Sequence, residues 1–118
     1  MHELSVCQGL LAQVEDIARE HRRPRVTRIV VRIGPLSGVV ARLLRDAFSI
    51  ARTGTVASDA ELELEELPVR VRCQSCGVES EAVPNRLVCG ECGDWRTHLT
   101  GGDELILARL ELDDVTTG

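Results

Sequence analysis

The sequence predicts an α+β fold: a three-stranded mixed sheet with two helices on one face, and an inserted four-cysteine module near the end of the chain. Three observations predict it. Two stretches carry apolar residues at helical spacing, three read as strands, and four cysteines fall as C-x2-C-x12-C-x2-C. A chain of 118 residues makes one domain, or one small domain with a metal-stapled appendage.

The first helix is expected over residues 4–21. Leu4, Cys7, Leu10, Leu11, Val14, Ile17 and Ala18 share a stripe, and Glu15, Asp16, Arg19 and Glu20 face away. Arg22 and Arg23 suit a helix C-terminus, and Pro24 stops it. Residues 26–33, VTRIVVRI, form a β-branched strand with Arg28 and Arg32 on one face. Residues 34–38, GPLSG, are a turn or loop. A second helix follows at about 39–52, its buried stripe made of Val40, Leu43, Leu44, Ala47, Phe48 and Ala51, and Gly54 ends it.

Residues 60–67, AELELEEL, alternate strictly, with Leu62 and Leu64 inward and Glu61, Glu63 and Glu65 on a solvated face. Residues 69–100 break the pattern and hold the four cysteines. Residues 104–112 resume as a strand with Ile106, Ala108, Leu110 and Leu112 on one face, and the tail from Asp113 reads as frayed. The strand–helix–strand unit favours a parallel, right-handed crossover. The last two strands can then pair antiparallel, with the cysteine module at their connection. The domains expected are therefore 1–68 with 101–118, and an inserted 69–100.

Composition excludes several classes. A net charge of −5 argues against general nucleic-acid binding and against a polybasic membrane contact. No segment is long and apolar enough to span a bilayer, and the start lacks the pattern of a secretory signal. A cytoplasmic protein is expected. Only Phe48 and Trp95 are aromatic, so Leu, Val, Ile and Ala must make the core. No Ser–His–Asp set, phosphate loop or motif-placed carboxylate pair is present, and catalysis is not expected.

Cys73, Cys76, Cys89 and Cys92 have the spacing of a closed metal site. Two residues between cysteines let both thiolates turn onto one ion. In a reducing compartment metal ligation is the better reading than disulfides. Zn²⁺ in a tetrahedral, structural, zinc-ribbon-like site fits this donor set, and an iron site from the same ligands is the competing reading. Gly77, Gly90 and Gly93 are expected to supply left-handed turns there. With so few large apolar groups, metal binding must supply much of the local folding free energy. The module carries four Arg against four acidic residues and one aromatic, so it offers neither a basic stripe nor a stacking platform for nucleic acid.

Met1, His2 and Glu3 offer a second chemistry. A free α-amine, the backbone nitrogen of His2 and its imidazole close a five- and a six-membered chelate ring in one plane. Ni²⁺ and Cu²⁺ favour such nitrogen sites. Glu3 can add a fourth donor through its amide or its carboxylate. Met1 precedes a bulky residue, so His2 is expected to stay second. The plainer reading is a polar His2 at an unspecialised terminus, and the residues alone favour it.

Taken together these residues resemble the HypA/HybF family of hydrogenase-maturation nickel metallochaperones. The resemblance runs from Met1-His2-Glu3 through residues 33–39, IGPLSGV, and Gly54-Thr55 to both CxxC pairs and the acidic–hydrophobic final strand. It implies nickel as transient cargo at Met1, His2 and Glu3, and structural zinc at Cys73, Cys76, Cys89 and Cys92. It also implies delivery to the NiFe-hydrogenase large-subunit precursor with help from a HypB-type GTPase. Some members also supply urease maturation. The chain departs from the family pattern at Val40, where an acidic residue is usual, at Asp46 and at Gly90.

Four other residues draw notice. Cys7 reads as a small buried thiol, His21 as a capping cation, His98 as a surface neighbour of the metal site, and Trp95 as a packing anchor.

Overall fold

The computed structural model describes residues 2–22 and 25–113. The expectations for Met1, Arg23, Pro24 and residues 114–118 lie outside the described residues. The element order is α1 (Glu3–Glu20), β1 (Val26–Ile33), α2 (Ala41–Ala51), β2 (Glu61–Glu66), β3 (Val69–Cys73), β4 (Glu79–Ala82), β5 (Thr97–Gly101) and β6 (Leu105–Leu112).

The first sheet runs β2-β1-β6 and is mixed. Bonds flanking β1 and β6 are antiparallel in sense: Asp113 N–H donates to the Arg25 carbonyl at 2.9 Å, and Gly34 N–H to the Glu104 carbonyl at 2.8 Å. This corrects one expectation. β2 and β6 do not pair with each other; each pairs with β1. The reason lies in burial. Ile29, Val30 and Val31 are all buried in succession, so β1 is covered on both faces and takes the centre. β2 and β6 carry acidic residues and are only half-buried, which suits edges.

Contacts divide the chain into two compact units. One is Met1–Val31, Val39–Glu65 and Ile106–Gly118; the other is Arg32–Gly38 and Glu66–Leu105.

In the first unit α1 packs against α2. Cys7, Leu11, Val14 and Ala18 are buried along α1, while Leu4 is exposed and Leu10 and Ile17 only half-buried. The buried stripe is thus narrower than expected. Burial pushes the Cys7 thiol upward in pKa, as suits an inert core group. His21 caps the C-terminus, its ring Nδ1 bonding the Ile17 carbonyl at 2.9 Å. On α2, Leu44, Ala47 and Phe48 are buried, but Val40 and Leu43 are exposed. α2 begins at Ala41 because Val40 is extended, and Val39 is the residue that turns inward. Two further expectations fail at the sheet edges. Leu62 and Leu64 are half-buried like Glu63 and Glu65, and Ile106 and Ala108 are exposed.

The second unit holds a sheet of order β4-β3-β5, both pairings antiparallel. From periodicity alone residues 69–100 are only a break in the pattern. β3 alternates cleanly, with Val69, Val71 and Cys73 buried. Arg70 and Arg72 on its other face bond Glu79 of β4, which also accepts from the Thr100 hydroxyl at 3.1 Å. Residues 34–38 belong to this unit. A Cβ on Gly34 would lie 2.2 Å from the Gly102 carbonyl oxygen, so two backbones meet where no side chain fits.

Candidate metal centres

β3 ends at Cys73 and feeds a tight turn to Cys76 and Gly77. A second turn of the same design runs from Cys89 to Cys92 and Gly93. In each, the first cysteine's sulfur accepts two backbone N–H groups. Cys73 Sγ takes those of Ser75 at 3.3 Å and Cys76 at 3.4 Å. Cys89 Sγ takes those of Glu91 at 3.3 Å and Cys92 at 3.4 Å. Each turn closes with a glycine N–H on the first cysteine's carbonyl at 3.0 Å. Gly77 and Gly93 need their φ of 74° and 76°, in the left-handed region. Gly90 is different and corrects the expectation for it. Its φ is not positive; its N–H donates to Ser80 Oγ at 2.9 Å, and an added Cβ would crowd Ser80 at 3.3 Å.

The four sulfurs all lie within 4.8 Å of one another, and no other such group occurs among the described residues. Cys73 with Cys92 and Cys76 with Cys89 are each 3.6 Å apart. Tetrahedral Zn–S bonds of about 2.3 Å imply S–S edges of about 3.8 Å. The donors therefore fit one tetrahedral ion and leave room for no more than one. Cys73 and Cys89 are buried; Cys76 and Cys92 are exposed. The N–H groups of Cys76 and Ser75 pull the Cys73 thiol down in pKa. Those of Cys92 and Glu91 bring Cys89 down to about 6. At Cys73 and Cys89 backbone dipoles aimed at sulfur favour the thiolate that a metal needs, whereas the Cys76 and Cys92 thiols are shifted upward.

Sequence reasoning missed the link that ties the two turns together. Asp94 accepts from Arg96 Nη2 at 3.0 Å and from the Ser75 hydroxyl, and its carbonyl accepts the Cys89 N–H at 2.9 Å. Arg96 first, then Ser75, holds the Asp94 carboxyl well below the usual range. Arg96 also feels the charge of Cys73 and Cys92, so it offsets thiolate charge as well. A Ser in the first CxxC and an Asp–x–Arg after the second were the available signal. His98 is exposed on β5 opposite Arg72 and is not one of the clustered donors. Trp95 is 76% exposed, so it is not a packing anchor.

At the other candidate site, Met1 lies outside the described residues. His2 is exposed at the N-cap of α1, and its carbonyl accepts the Val6 N–H at 2.9 Å. Glu3 is buried, 5% exposed, and its carboxylate accepts the Val40 N–H at 3.1 Å. The chain's terminal ammonium, then that N–H, hold the Glu3 carboxyl down to about 2. Among the described residues no helix is long and apolar enough to cross a membrane.

Comparison with known proteins gives the family of the chain. The family described as "Hydrogenase/urease nickel incorporation, metallochaperone, hypA" matches residues 1–112. The hydrogenase maturation factor HypA of Nitrosospira multiformis is 44% identical over 95% of this chain and 97% of its own. That of Aquifex aeolicus is 43% identical over 96% and 98%. The solution structure of the Ni metallochaperone HypA from Helicobacter pylori superposes with a TM-score of 0.69 at 31% identity, covering 95% of this chain and 97% of that one. The chain belongs to the HypA family of metallochaperones for hydrogenase/urease nickel incorporation, which are maturation factors and not enzymes.

Proposed function

We propose that this protein captures Ni²⁺ at its N-terminus and hands it to the NiFe-hydrogenase large-subunit precursor. Met1 supplies the α-amine, His2 its amide and imidazole, and Glu3 the fourth donor. The observation that carries this reading is the contrast between two neighbours: His2 is exposed while Glu3 is buried and tied to Val40. His2 is thus open to solvent while the residue after it is anchored. α1 starts at Glu3, so the His2 and Glu3 N–H groups precede the helix's own hydrogen-bond ladder. An open nitrogen chelate exchanges its ion readily, which transfer requires; a closed four-thiolate cage does not.

Cys73, Cys76, Cys89 and Cys92 hold Zn²⁺ in this reading. The ion's contribution is structural, and the inserted domain is 69–100 against 1–68 with 101–118. A HypB-type GTPase assists delivery in the cytoplasm, and urease maturation is a further client. The alternative is a zinc-ribbon adaptor acting by protein contact, with no nickel role.

Calorimetric titration of Ni²⁺ into untagged, zinc-loaded protein separates the two. The nickel reading expects one-to-one binding that His2→Ala abolishes and that an N-terminal extension also abolishes. Equal binding by all three proteins moves nickel elsewhere. No binding by any of them leaves the adaptor.

A further inference from the structure

Each turn of the four-cysteine centre carries one covered residue and one open one. Cys73 and Cys89 are buried, and Cys76 and Cys92 are exposed. Contacts between the turns join them crosswise. The sulfur of exposed Cys92 lies 3.6 Å from that of buried Cys73, and the sulfur of exposed Cys76 lies 3.6 Å from that of buried Cys89. Each exposed cysteine therefore faces, in sulfur contact, the buried cysteine of the other turn.

This placement matters for sulfur chemistry. As metal ligands all four cysteines are thiolates, and a thiolate is the form that an oxidant attacks. Solvent reaches Cys76 and Cys92 first. A sulfur pair 3.6 Å apart has to close by only about 1.5 Å to become a disulfide. Bonds that involve no sulfur keep the turns face to face. The Ser75 hydroxyl donates to Asp94, and Arg96 Nη2 to Ser75 Oγ at 3.4 Å. The fifth cysteine, Cys7, is 2% exposed and belongs to the other compact unit.

We infer that the centre is a site of oxidation by hydroperoxides, in which an exposed cysteine of one turn and the buried cysteine opposite it form a disulfide and zinc is released. This rests on the zinc part of the proposed function and not on nickel binding. The exposed thiolate of Cys92 or Cys76 attacks a peroxide oxygen. An S–O bond forms, the O–O bond breaks, and hydroxide leaves and takes a proton from solvent. The buried thiolate of Cys73 or Cys89 then attacks the resulting sulfenic sulfur. The S–S bond forms, the S–O bond breaks, and a second hydroxide leaves and is protonated. The two cysteines lose two electrons, and the peroxide gains them in becoming two waters. Two thiolates remain, too few for a closed zinc site.

The test adds one equivalent of hydrogen peroxide to the zinc-loaded full chain and follows zinc with a chromophoric chelator. The protein is then alkylated and cut with trypsin, which cleaves after Arg72, Arg86 and Arg96. A crossed disulfide joins fragment 73–86 to fragment 87–96, whereas a bond within one CxxC leaves them separate. The expected result is one zinc released for each disulfide formed, with Cys73–Cys92 and Cys76–Cys89 as the linked pairs by mass spectrometry. Cys7 should stay a free thiol, and a thiol reductant with added Zn²⁺ should restore the site. Metal analysis before the oxidant separates two kinds of failure. A chain that takes up no zinc overturns the zinc reading together with this one. A zinc-loaded chain overturns the inference alone in three ways: zinc kept at about tenfold excess peroxide, disulfides formed within each CxxC, or release with sulfinic acids and no disulfide.

Discussion

The Glu3 carboxylate accepts the backbone N–H of Val40 at 3.1 Å, joining the first residue of α1 to the N-cap of α2. Val40 supplies no side-chain cap to α2, so the acid from α1 serves an N–H at that helix's start. A buried carboxylate at that position ties the start of α1 to the start of α2.

Glu3→Ala should therefore destabilise the protein, because it removes the acceptor of a part-buried backbone donor at the start of α2. The melting temperature of the zinc-loaded protein is expected to fall by about 5 °C or more. Glu3→Gln keeps an acceptor oxygen and should lose less. Thermal melts followed by circular dichroism decide it: equal melting for Ala, Gln and wild type would mean the contact adds nothing.

Gly34→Ala should be among the more damaging single-atom-group changes in this chain. The new Cβ would sit 2.2 Å from the Gly102 oxygen and 2.9 Å from the Asp103 nitrogen, and backbone on that side cannot step aside. Gly102 is itself fixed by a φ of 109° and by Val69, whose Cα an added Cβ would approach to 2.8 Å. The expected cost is about 2 kcal/mol or more, read from urea unfolding. Gly9→Ala, where a Cβ meets nothing within 4 Å, is the control and should be neutral or stabilising.

Acid should weaken the link between Arg28 and Glu63. The Arg28 guanidinium holds the Glu63 carboxyl below its ordinary value of 4.5. The native state thus binds that proton less readily than the unfolded chain does. The pair's stabilisation is fully present above the unfolded value and disappears as pH falls through the lower, folded one. Both side chains are about two-fifths exposed, at 38% and 40%, so the effect is small. The urea midpoints of wild type and Glu63→Gln should differ at pH 7 and converge in acid, as pH falls below the ordinary value of 4.5 and through the lower folded one. A difference that persists unchanged at low pH would assign the effect to packing.

What the sequence made legible follows from locality. CxxC spacing and helical periodicity are short-range facts, and Cys73, Cys76, Cys89 and Cys92 do converge while Leu44, Ala47 and Phe48 do pack inward. Strand order is not local. Placing β1 between β2 and β6 depends on three consecutive buried residues, Ile29–Val31, being covered on both sides, which periodicity does not separate from other apolar runs. The short strands β3, β4 and β5 were hidden because knuckle turns and charged residues interrupt them. Val40 misled for a related reason: an apolar side chain at helical spacing was read as core, whereas the position is used through its backbone N–H. Trp95 stays in water because a large aromatic side chain is not by itself a buried one.

The Ser75–Asp94–Arg96 link gives the last prediction. Asp94 is not one of the clustered donors, but it bonds Ser75 in one turn and Arg96 beyond the other, and its carbonyl holds the Cys89 N–H. Asp94→Ala removes the side-chain part of that link and leaves the Cys89 bond to the carbonyl in place. The four thiolates remain, so the site should still fill, but with its two halves less well registered. Loss of groups that orient metal ligands typically costs about 10–100-fold in affinity. Competition against a chromophoric chelator should show zinc held about that much more weakly by Asp94→Ala. Asp94→Asn, which keeps one acceptor for Ser75, should fall between. Removing zinc altogether should abolish amide protection at Gly77 and Gly93 while protection along α1 persists, because the knuckles have little apolar surface of their own to hold them. Unchanged zinc affinity in Asp94→Ala would mean the two turns are registered by the metal and β3 alone.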